Sequence, residues 1–413
     1  MSAHHHYTTP KQERFVSPKR FNTILYAMMA VGILSLAYGF ITNPQRAWAN
    51  ILINDFYFMG ISLCGLVFVA IACATNAGWS IGFKRIPEAF SSFLPIAGLI
   101  TLIIAGGAAL HLHHLYHWTD HELYVKTLEN GQPNPLFDEI LYSKKAFLNL
   151  AGFIIFTFVG FGIWIGFQRV IVGNSLKEDA VGGIHFLKRN KTLSSIFLPL
   201  YAISWAFASW YYMMSLDPHW FSTIYWVYQF ASTWVACIAL IIVALILMKR
   251  EGYFAFINEN HLHDLGKMMF GFSVFWTYIW LAQFLLIYYA NIPEEAVYYY
   301  ERWESPLFYP IFFINLIANF IFPFFYFMTR DAKRRMGNLL FGASVVFLGH
   351  WLDMYQQVMP AAVGHESGLG IPEFGTLIGF LGLFVFVVKR HLAKHALVPV
   401  KHPYLKEFTY HAI

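Results

Sequence analysis

The sequence predicts an all-α polytopic membrane protein with about ten transmembrane helices. It contains ten long apolar runs, and a spanning helix needs only ~20 mainly apolar residues. The composition agrees, because 58% of the residues are hydrophobic and only 12% are charged, whereas about 25% of the residues in a soluble domain are charged. The distribution of lysine and arginine between the loops is a third indication.

The ten runs alternate with connecting segments that are too short to form independent domains. They cover residues 21–42, 55–80, 89–112, 146–167, 193–214, 221–248, 268–290, 306–328, 338–358 and 373–388. A chain that crosses the membrane ten times has both termini on the same side.

The basic residues divide strongly between the two sides. All but five of the 28 lysines and arginines lie in the termini and in the loops on the same side as the termini. The five exceptions are Arg46, Lys126, Lys144, Lys145 and Arg302. The positive-inside rule therefore predicts cytoplasmic termini. We expect a cytoplasmic tail at 1–20, a transmembrane domain at 21–390 and a second cytoplasmic tail at 391–413.

Several classes of function lack a local signature. The net charge of +5 reflects this separation of charge between the two sides, so it does not indicate nucleic-acid binding. The three cysteines lie in apolar runs, and the sequence has no CxxC or CxxCH motif for an iron–sulfur cluster or covalent haem. It also has no phosphate-binding GxxxxGK[ST] loop.

The ninth run carries the most informative intramembrane polar residues. His350, Asp353 and Gln357 are spaced by three and four residues, so a helix places them on one face, and Tyr355 lies in the same segment. Ionisable groups within a membrane usually face a bundle interior or a water-filled path. This face could relay protons, hydrogen-bond a quinone headgroup, or clamp neighbouring helices together.

Histidines are concentrated between His111 and His121, at the end of the third run. If the helix continues there, His113 and His117 share a face, as do His114, His117 and His121, so the i,i+4 spacing suited to zinc is available. A proton-buffering or partner-contact surface and ordinary interfacial packing are the alternatives. A haem b site would pair the buried His350 with His111, and we do not expect one.

Two smaller polar groups complete the candidates. Asn315 and Asn319, one helical turn apart in the eighth run, are expected to bond to neighbouring helices. Asp217 and His219 lie in a short turn between the fifth and sixth runs. Asp217 could cap the sixth helix, or this pair could receive protons from the outer surface.

Three sequence strings resemble one family. They are Met214-Ser-Leu-Asp-Pro-His-Trp-Phe-Ser-Thr223, His113-His-Leu-Tyr-His-Trp118 and Trp351-Leu-Asp-Met-Tyr355. Together they are similar to the ActF subunits of bacterial alternative complex III, which belong to the NrfD and PsrC class of membrane subunits. The resemblance extends over essentially all ten helices, and the first string is its most specific part.

The resemblance implies two four-helix bundles, formed by helices two to five and six to nine, plus two peripheral helices. It implies a non-redox subunit of a quinol:cytochrome c oxidoreductase complex in the bacterial inner membrane, without catalytic activity alone. The chain would supply scaffold, proton passage or a secondary quinone site. Haems and iron–sulfur clusters would belong to partners: an ActC-like paralogue, an iron–sulfur protein, multihaem cytochromes c and, in some assemblies, a terminal oxidase.

The main alternative is an independent secondary transporter. Such proteins often bind substrate near the membrane midplane between inverted repeats with broken helices. The sequence has no recognisable inverted repeat, and its polar intramembrane residues are biased towards the outer half.

Overall fold

The computed structural model describes residues 13–364 and 368–409, and helices dominate these ranges. The helices are α1 (Lys19–Thr42), α2 (Pro44–Thr75), α3 (Arg85–Phe90), α4 (Leu94–Ala109), α5 (Glu139–Lys144), α6 (Leu150–Val181), α7 (His185–Ala208), α8 (Tyr225–Arg250), α9 (Glu259–Ala290), α10 (Pro293–Trp303), α11 (Phe308–Leu316), α12 (Phe322–Tyr326), α13 (Met336–Ala362), α14 (Ile371–Lys394) and α15 (Leu405–Thr409). Within these ranges, β-type pairing between backbone segments is limited to isolated bridges.

Nine helical segments of the described chain are long and apolar enough to cross a membrane. They correspond to nine of the ten predicted runs, and α3 with α4, and α11 with α12, each contribute to a single span. The remaining run forms α13, which is 27 residues long but less apolar because it carries His350, Asp353, Gln356 and Gln357. These side chains are buried, so α13 hides its polar residues inside the bundle. The predicted fold class is confirmed.

The helices form two neighbouring bundles. Helices α2, α3–α4, α6 and α7 pack together as the first bundle, and α8, α9, α11–α12 and α13 form the second. Helix α2 also packs against α8 and α13, so it lies at the junction of the two bundles. This arrangement agrees with the bundles that the family resemblance implies.

Helices α1 and α14 form a peripheral pair. The backbones approach closely where Gly32 faces Gly379, since an ideal Cβ on Gly379 would lie 2.5 Å from the Gly32 Cα atom. Ser35 packs similarly against Gly375. Small residues at a membrane helix contact allow van der Waals packing that larger side chains would prevent.

Helix α2 begins eleven residues before the predicted run, at Pro44 instead of residue 55. Asn43 caps it by accepting a hydrogen bond from the Arg46 backbone N–H at 3.0 Å. The early part of α2 carries Arg46, which forms a bidentate pair with the buried Glu373 of α14 at 2.6 and 2.7 Å. The hydropathy pattern did not predict these eleven residues as part of the span because they include polar side chains. The protein buries such side chains by pairing them with each other.

The two ends of the bundle differ in charge and are named accordingly. The basic end carries the termini and the loops around residues 84, 188, 250 and 334, and the acidic end carries residues 110–149, 215–224 and 291–307. At the basic end, α14 continues to Lys394, and residues 395–409 fold back onto the bundles, where Leu397 and Phe408 are buried. The described part of the predicted tail, residues 391–409, is therefore packed against the bundles. Residues 1–12 and 410–413 lie outside the described residues.

Candidate functional site

The polar face of α13 points into the second bundle, as predicted. His350, Asp353 and Gln357 are all buried, with exposed fractions of 0, 1 and 5%. Their partners come from α8, α9 and α11. The spacing of three and four residues puts the three side chains on one stripe, so one helix can contact three neighbours with polar groups.

Four hydrogen-bond donors converge on the Asp353 carboxylate. Oδ1 accepts hydrogen bonds from the Tyr228 hydroxyl and from Asn315 Nδ2, the latter at 3.0 Å. Oδ2 accepts hydrogen bonds from Ser232 Oγ at 2.8 Å and from Trp276 Nε1 at 3.2 Å. A carboxylate has about four acceptor positions, so this set of donors occupies them.

His350 and Asp353 are linked through a serine hydroxyl. Ser232 Oγ donates to Asp353 and lies 3.0 Å from His350 Nδ1. The other ring nitrogen, His350 Nε2, is buried without a hydrogen-bond partner. The predicted His–Asp pair therefore exists as a His–Ser–Asp chain.

Amide side chains extend this network on both sides. Gln357 Oε1 accepts hydrogen bonds from the Tyr225 hydroxyl at 2.8 Å and from Gln229 Nε2. On the other side, Asn315 also donates to Gln356 Oε1 at 3.2 Å, and it accepts from Asn319 at 2.5 Å. The expectation that the two asparagines bond between helices is confirmed for Asn315, and Asn319 supports it.

The eighth run is irregular at this position. A π-helical turn, Ile317–Ile321, separates α11 from α12 and contains Asn319. π-Helical turns inside α-helices are rare and are often found at functional sites.

Arg302 of α10, which was not predicted as a site residue, closes the network towards the acidic end. Its guanidinium is buried and donates to the backbone oxygens of Tyr298, Gln356 and Gln357 at 2.6, 3.2 and 3.1 Å. It also pairs with Asp217 at 3.2 Å. Burial disfavours the charged form, but Tyr298 and Asp217 hold the pKa of Arg302 above its ordinary value. In the sequence, Arg302 is one of the five basic residues predicted on the side opposite the termini. No local pattern indicated that its side chain is buried.

Asp217 does not cap the sixth helix. Helix α8 begins at Tyr225 without a side-chain cap, and Asp217 instead pairs with Arg302. The buried guanidinium attracts the carboxylate more strongly than a neutral backbone N–H would.

A small cavity of about 20 Å³, enough for one water-sized group, lies between the Asp353 network and α10. Its polar lining is Asp353, Gln356, Gln357, Gln283 and Arg302, and its aromatic lining is Tyr228, Trp280, Tyr298, Tyr299 and Phe312. The Nε2 amide of Gln356 is buried without a partner, so a donor is available to a bound group. The cavity combines flat apolar walls with a few polar groups, as ligand pockets usually do.

The other predicted site residues lie apart from this cavity. Tyr355 is fully buried beside Trp351, with ring centroids 6.2 Å apart, and does not line the cavity. His219 is half-exposed and contacts Asp138 at 2.5 Å. That contact and the Leu141 backbone N–H hold the pKa of Asp138 below its ordinary value, although burial opposes this.

The histidine-rich segment does not form the predicted helical face. Helix α4 ends at Ala109, and His111 has a left-handed φ of 51°. His114 and His117 are exposed, whereas His113 is buried. Among the described residues, no group of three or more His, Cys, Asp or Glu side chains is arranged to hold a metal ion. His111 is exposed, whereas His350 is buried.

The first bundle contains two polar groups that were not predicted from the sequence. Asp55 of α2 is buried and accepts a hydrogen bond from Thr101 of α4 at 2.7 Å. At the basic end, Arg85 pairs with Glu88 and Asp179. Each of these charges lies at the edge of an apolar run or in a segment that was assigned to a loop, so its burial was not evident.

The fold and the polar network together define a multi-pass, all-α membrane protein with a small polar cavity in its second bundle. No protein-family model matches the chain, and no curated protein matches it.

Proposed function

We propose that this chain is an integral membrane subunit of a quinol:cytochrome c oxidoreductase complex of the alternative complex III type. In this proposal, a quinone or quinol headgroup binds at the cavity beneath α10, and the lining side chains move apart to admit it because the cavity holds only about 20 Å³. The basic end faces the cytoplasm of a bacterial inner membrane. The chain itself carries no redox centre, and it also serves as membrane scaffold for an ActC-like paralogue, an iron–sulfur subunit and multihaem cytochrome c subunits.

The observation that carries the proposal is the chemistry of the cavity lining. A quinone headgroup is a flat ring with oxygen atoms on opposite sides. Trp280 and Phe312 provide apolar ring surfaces, while Gln356 offers a free amide donor and Arg302 a cationic one. The three sequence strings similar to ActF subunits give independent support.

Asp353 provides the proton chemistry in this proposal. Oxidation of a quinol to a quinone releases two electrons and two protons. The electrons would pass to metal centres of the partner subunits. Asp353 would accept one proton as the Tyr228 or Ser232 hydroxyl turns away from it, and the second proton would pass to water at the acidic end. The chain of hydroxyl and imidazole groups through Ser232 to His350 would hold or pass on that proton.

Replacement of Asp353 with Asn tests the proposal in the assembly as purified in mild detergent. We expect reduced quinol:cytochrome c turnover and altered quinone content after solvent extraction, with all subunits present. Glu294→Gln is the matched control, because Glu294 is exposed at the same end. Unchanged turnover and quinone content in the Asp353 variant would refute the quinone site.

The same purification tests membership of a complex. We expect the chain to copurify with haem-bearing partners, which absorption spectra detect. A chain that purifies alone and without haem would refute the complex, and would favour the alternative of an independent secondary transporter.

A further inference from the structure

A second cavity lies at the basic end of the first bundle, at the opposite end of the molecule from α10. Its volume is about 20 Å³, enough for one water molecule or a small ion. Its polar lining is Asn76, Ser80, Lys84, Glu88, Ser175, Glu178, Asn190 and His402, and Cys73 also lines it. The cavity is separate from the proposed quinone site, so its chemistry is independent of that proposal.

The charged groups around this cavity do not balance. Arg85 pairs with Glu88 and Asp179, and Lys84 Nζ lies 3.5 Å from Glu178 Oε2. Three carboxylates are thus paired with two cations, which leaves one negative charge in excess within these ion pairs. Lys401 is also near, but it is exposed and donates to a backbone oxygen instead. An uncompensated buried charge is very unfavourable.

His402 does not supply the missing positive charge. Its Nε2 atom lies 3.9 Å from Glu178 Oε2. Burial, together with the positive charges of Lys84 and Arg85, lowers the pKa of His402 to about 3. The imidazole is therefore neutral near pH 7.

Within the part of the chain that the structure describes, two buried oxygen atoms at the cavity have no hydrogen-bond partner. They are Glu178 Oε1 and Ser80 Oγ, and the two residues have exposed fractions of 2 and 1%. Oxygen atoms are the ligands that small hard cations prefer, and a carboxylate oxygen also binds a proton. Unpartnered buried acceptors and a missing positive charge occur at the same place.

We propose that this cavity binds one exchangeable monovalent cation at Glu178, either a proton or a sodium ion. The bound cation neutralises the excess charge. Binding to Glu178 also satisfies the free carboxylate oxygen, with the Ser80 hydroxyl as a second ligand.

The C-terminal segment covers the cavity. His402 and Tyr404 line it, and Lys401 Nζ donates to the Ala180 backbone oxygen at 2.5 Å. Phe408 is fully buried and contacts Gly82 of the first bundle and His261 of the second. Movement of this segment would therefore widen the path by which the cation exchanges with water at the basic end.

Thermal unfolding of the full-length protein in detergent tests cation binding. A ligand that binds only the folded state stabilises it, so we expect the unfolding midpoint to rise by about 2 °C or more with the bound cation. One arm replaces choline chloride with sodium chloride at constant ionic strength and pH. The other arm lowers the pH from 8 to 6 without sodium, so the two arms distinguish the two cations.

Glu178→Gln should abolish whichever response the native protein shows, because the amide lacks the negative charge. Glu251→Gln, an exposed glutamate at the same end, should keep that response. The other ionisable groups around Glu178 are Lys84, Arg85, Glu88, Asp179, His391, His395, His402 and Lys401. Loss of the pH response in His391→Gln but not in Glu178→Gln would overturn the assignment, as would no response to either cation.

Cys73 reports on the covering segment. The chain has three cysteines, and the other two, Cys64 and Cys237, are fully buried. We expect a water-soluble thiol reagent to label Cys73 about tenfold faster in Phe408→Ala than in the native chain, because loss of the buried ring promotes local opening. Gly82→Val should act similarly by displacing Phe408 from the opposite side. Equal rates in all three proteins would overturn the covering role.

Discussion

Replacement of Asp353 with Asn should destabilise the second bundle through one specific mismatch. The change turns one carboxylate oxygen into an NH₂ group. If that group replaces Oδ1, it faces the amide nitrogen of Asn315, and if it replaces Oδ2, it faces the indole nitrogen of Trp276. The hydroxyls of Tyr228 and Ser232 can reverse their hydrogen bonds, but an indole N–H cannot accept one.

Asn315 can relieve the mismatch only if its amide rotates together with those of Asn319 and Gln356. Its oxygen accepts a hydrogen bond from Asn319, and its nitrogen also donates to Gln356. Without that concerted rotation, one buried donor is left without an acceptor in either orientation of the new amide. An unsatisfied buried donor costs about 1–3 kcal/mol, so we expect Asp353→Asn to lower the free energy of unfolding by that amount.

A double-mutant cycle isolates the mismatch. Trp276→Phe removes the indole N–H, so in the Asp353→Asn background it should remove the conflict as well as create a small cavity. We expect the double variant to be less destabilised than the sum of the two single variants by about 1–3 kcal/mol. Unfolding in mixed detergent micelles, followed by circular dichroism, measures all four proteins. Additive changes would refute the convergence of donors on this carboxylate.

Three further predictions concern other parts of the structure. Arg46→Met should lower the free energy of unfolding by about 3 kcal/mol, because it leaves the buried Glu373 without its cation; Arg46→Lys, which keeps the charge, should lose less in the same detergent unfolding assay. Gly379→Leu should separate α14 from α1, since no side chain fits between the backbones; crosslinking between cysteines introduced in the two helices should then fall, and unchanged crosslinking would contradict the close contact. The contact between Asp138 and His219 should persist in mild acid and be lost as the pH falls below the depressed pKa of Asp138; limited proteolysis of the loop at a series of pH values should show this loss, and Asp138→Asn should cleave equally at all of them.

The membrane fold was predictable from the sequence because the driving pattern is local. Each spanning helix satisfies its own backbone hydrogen bonds, so length and apolarity are enough to find it. The polar stripe of α13 was also visible, because His350, Asp353 and Gln357 lie on one helical face. Its partners came from three other helices, and helical spacing within one segment carries no information about which neighbour lies opposite.

The missed residues share a physical cause. Arg46, Arg302 and Arg85 are charged groups near helix ends, where a sequence reading expects contact with water or lipid headgroups. Each is instead paired with a carboxylate that is distant in the sequence, such as Glu373 for Arg46 and Asp179 for Arg85. Only the tertiary fold brings these charges together, so hydropathy and charge counts could not reveal the pairs.

In the histidine-rich segment, the sequence pattern predicted a shared helical face that the structure does not contain. Its spacing suited a continued helix, but the chain turns at His111 and leaves His114 and His117 exposed in the loop. A spacing argument is valid only while the helix continues. Nothing in the apolar pattern marked Ala109 as the last helical residue.

The contact between α1 and α14 has a consequence for how the protein is made. Helix α1 has its main packing partner in α14, which is synthesised more than 300 residues later, and Arg14 bridges to Ala396 beyond the end of that helix. Helix α1 must therefore remain in the bilayer, without that partner, until α14 has been translated. Its final position is thus set late in biogenesis, and a chain that stops before α14 would present the glycine face of α1 to lipids or to other unfinished proteins.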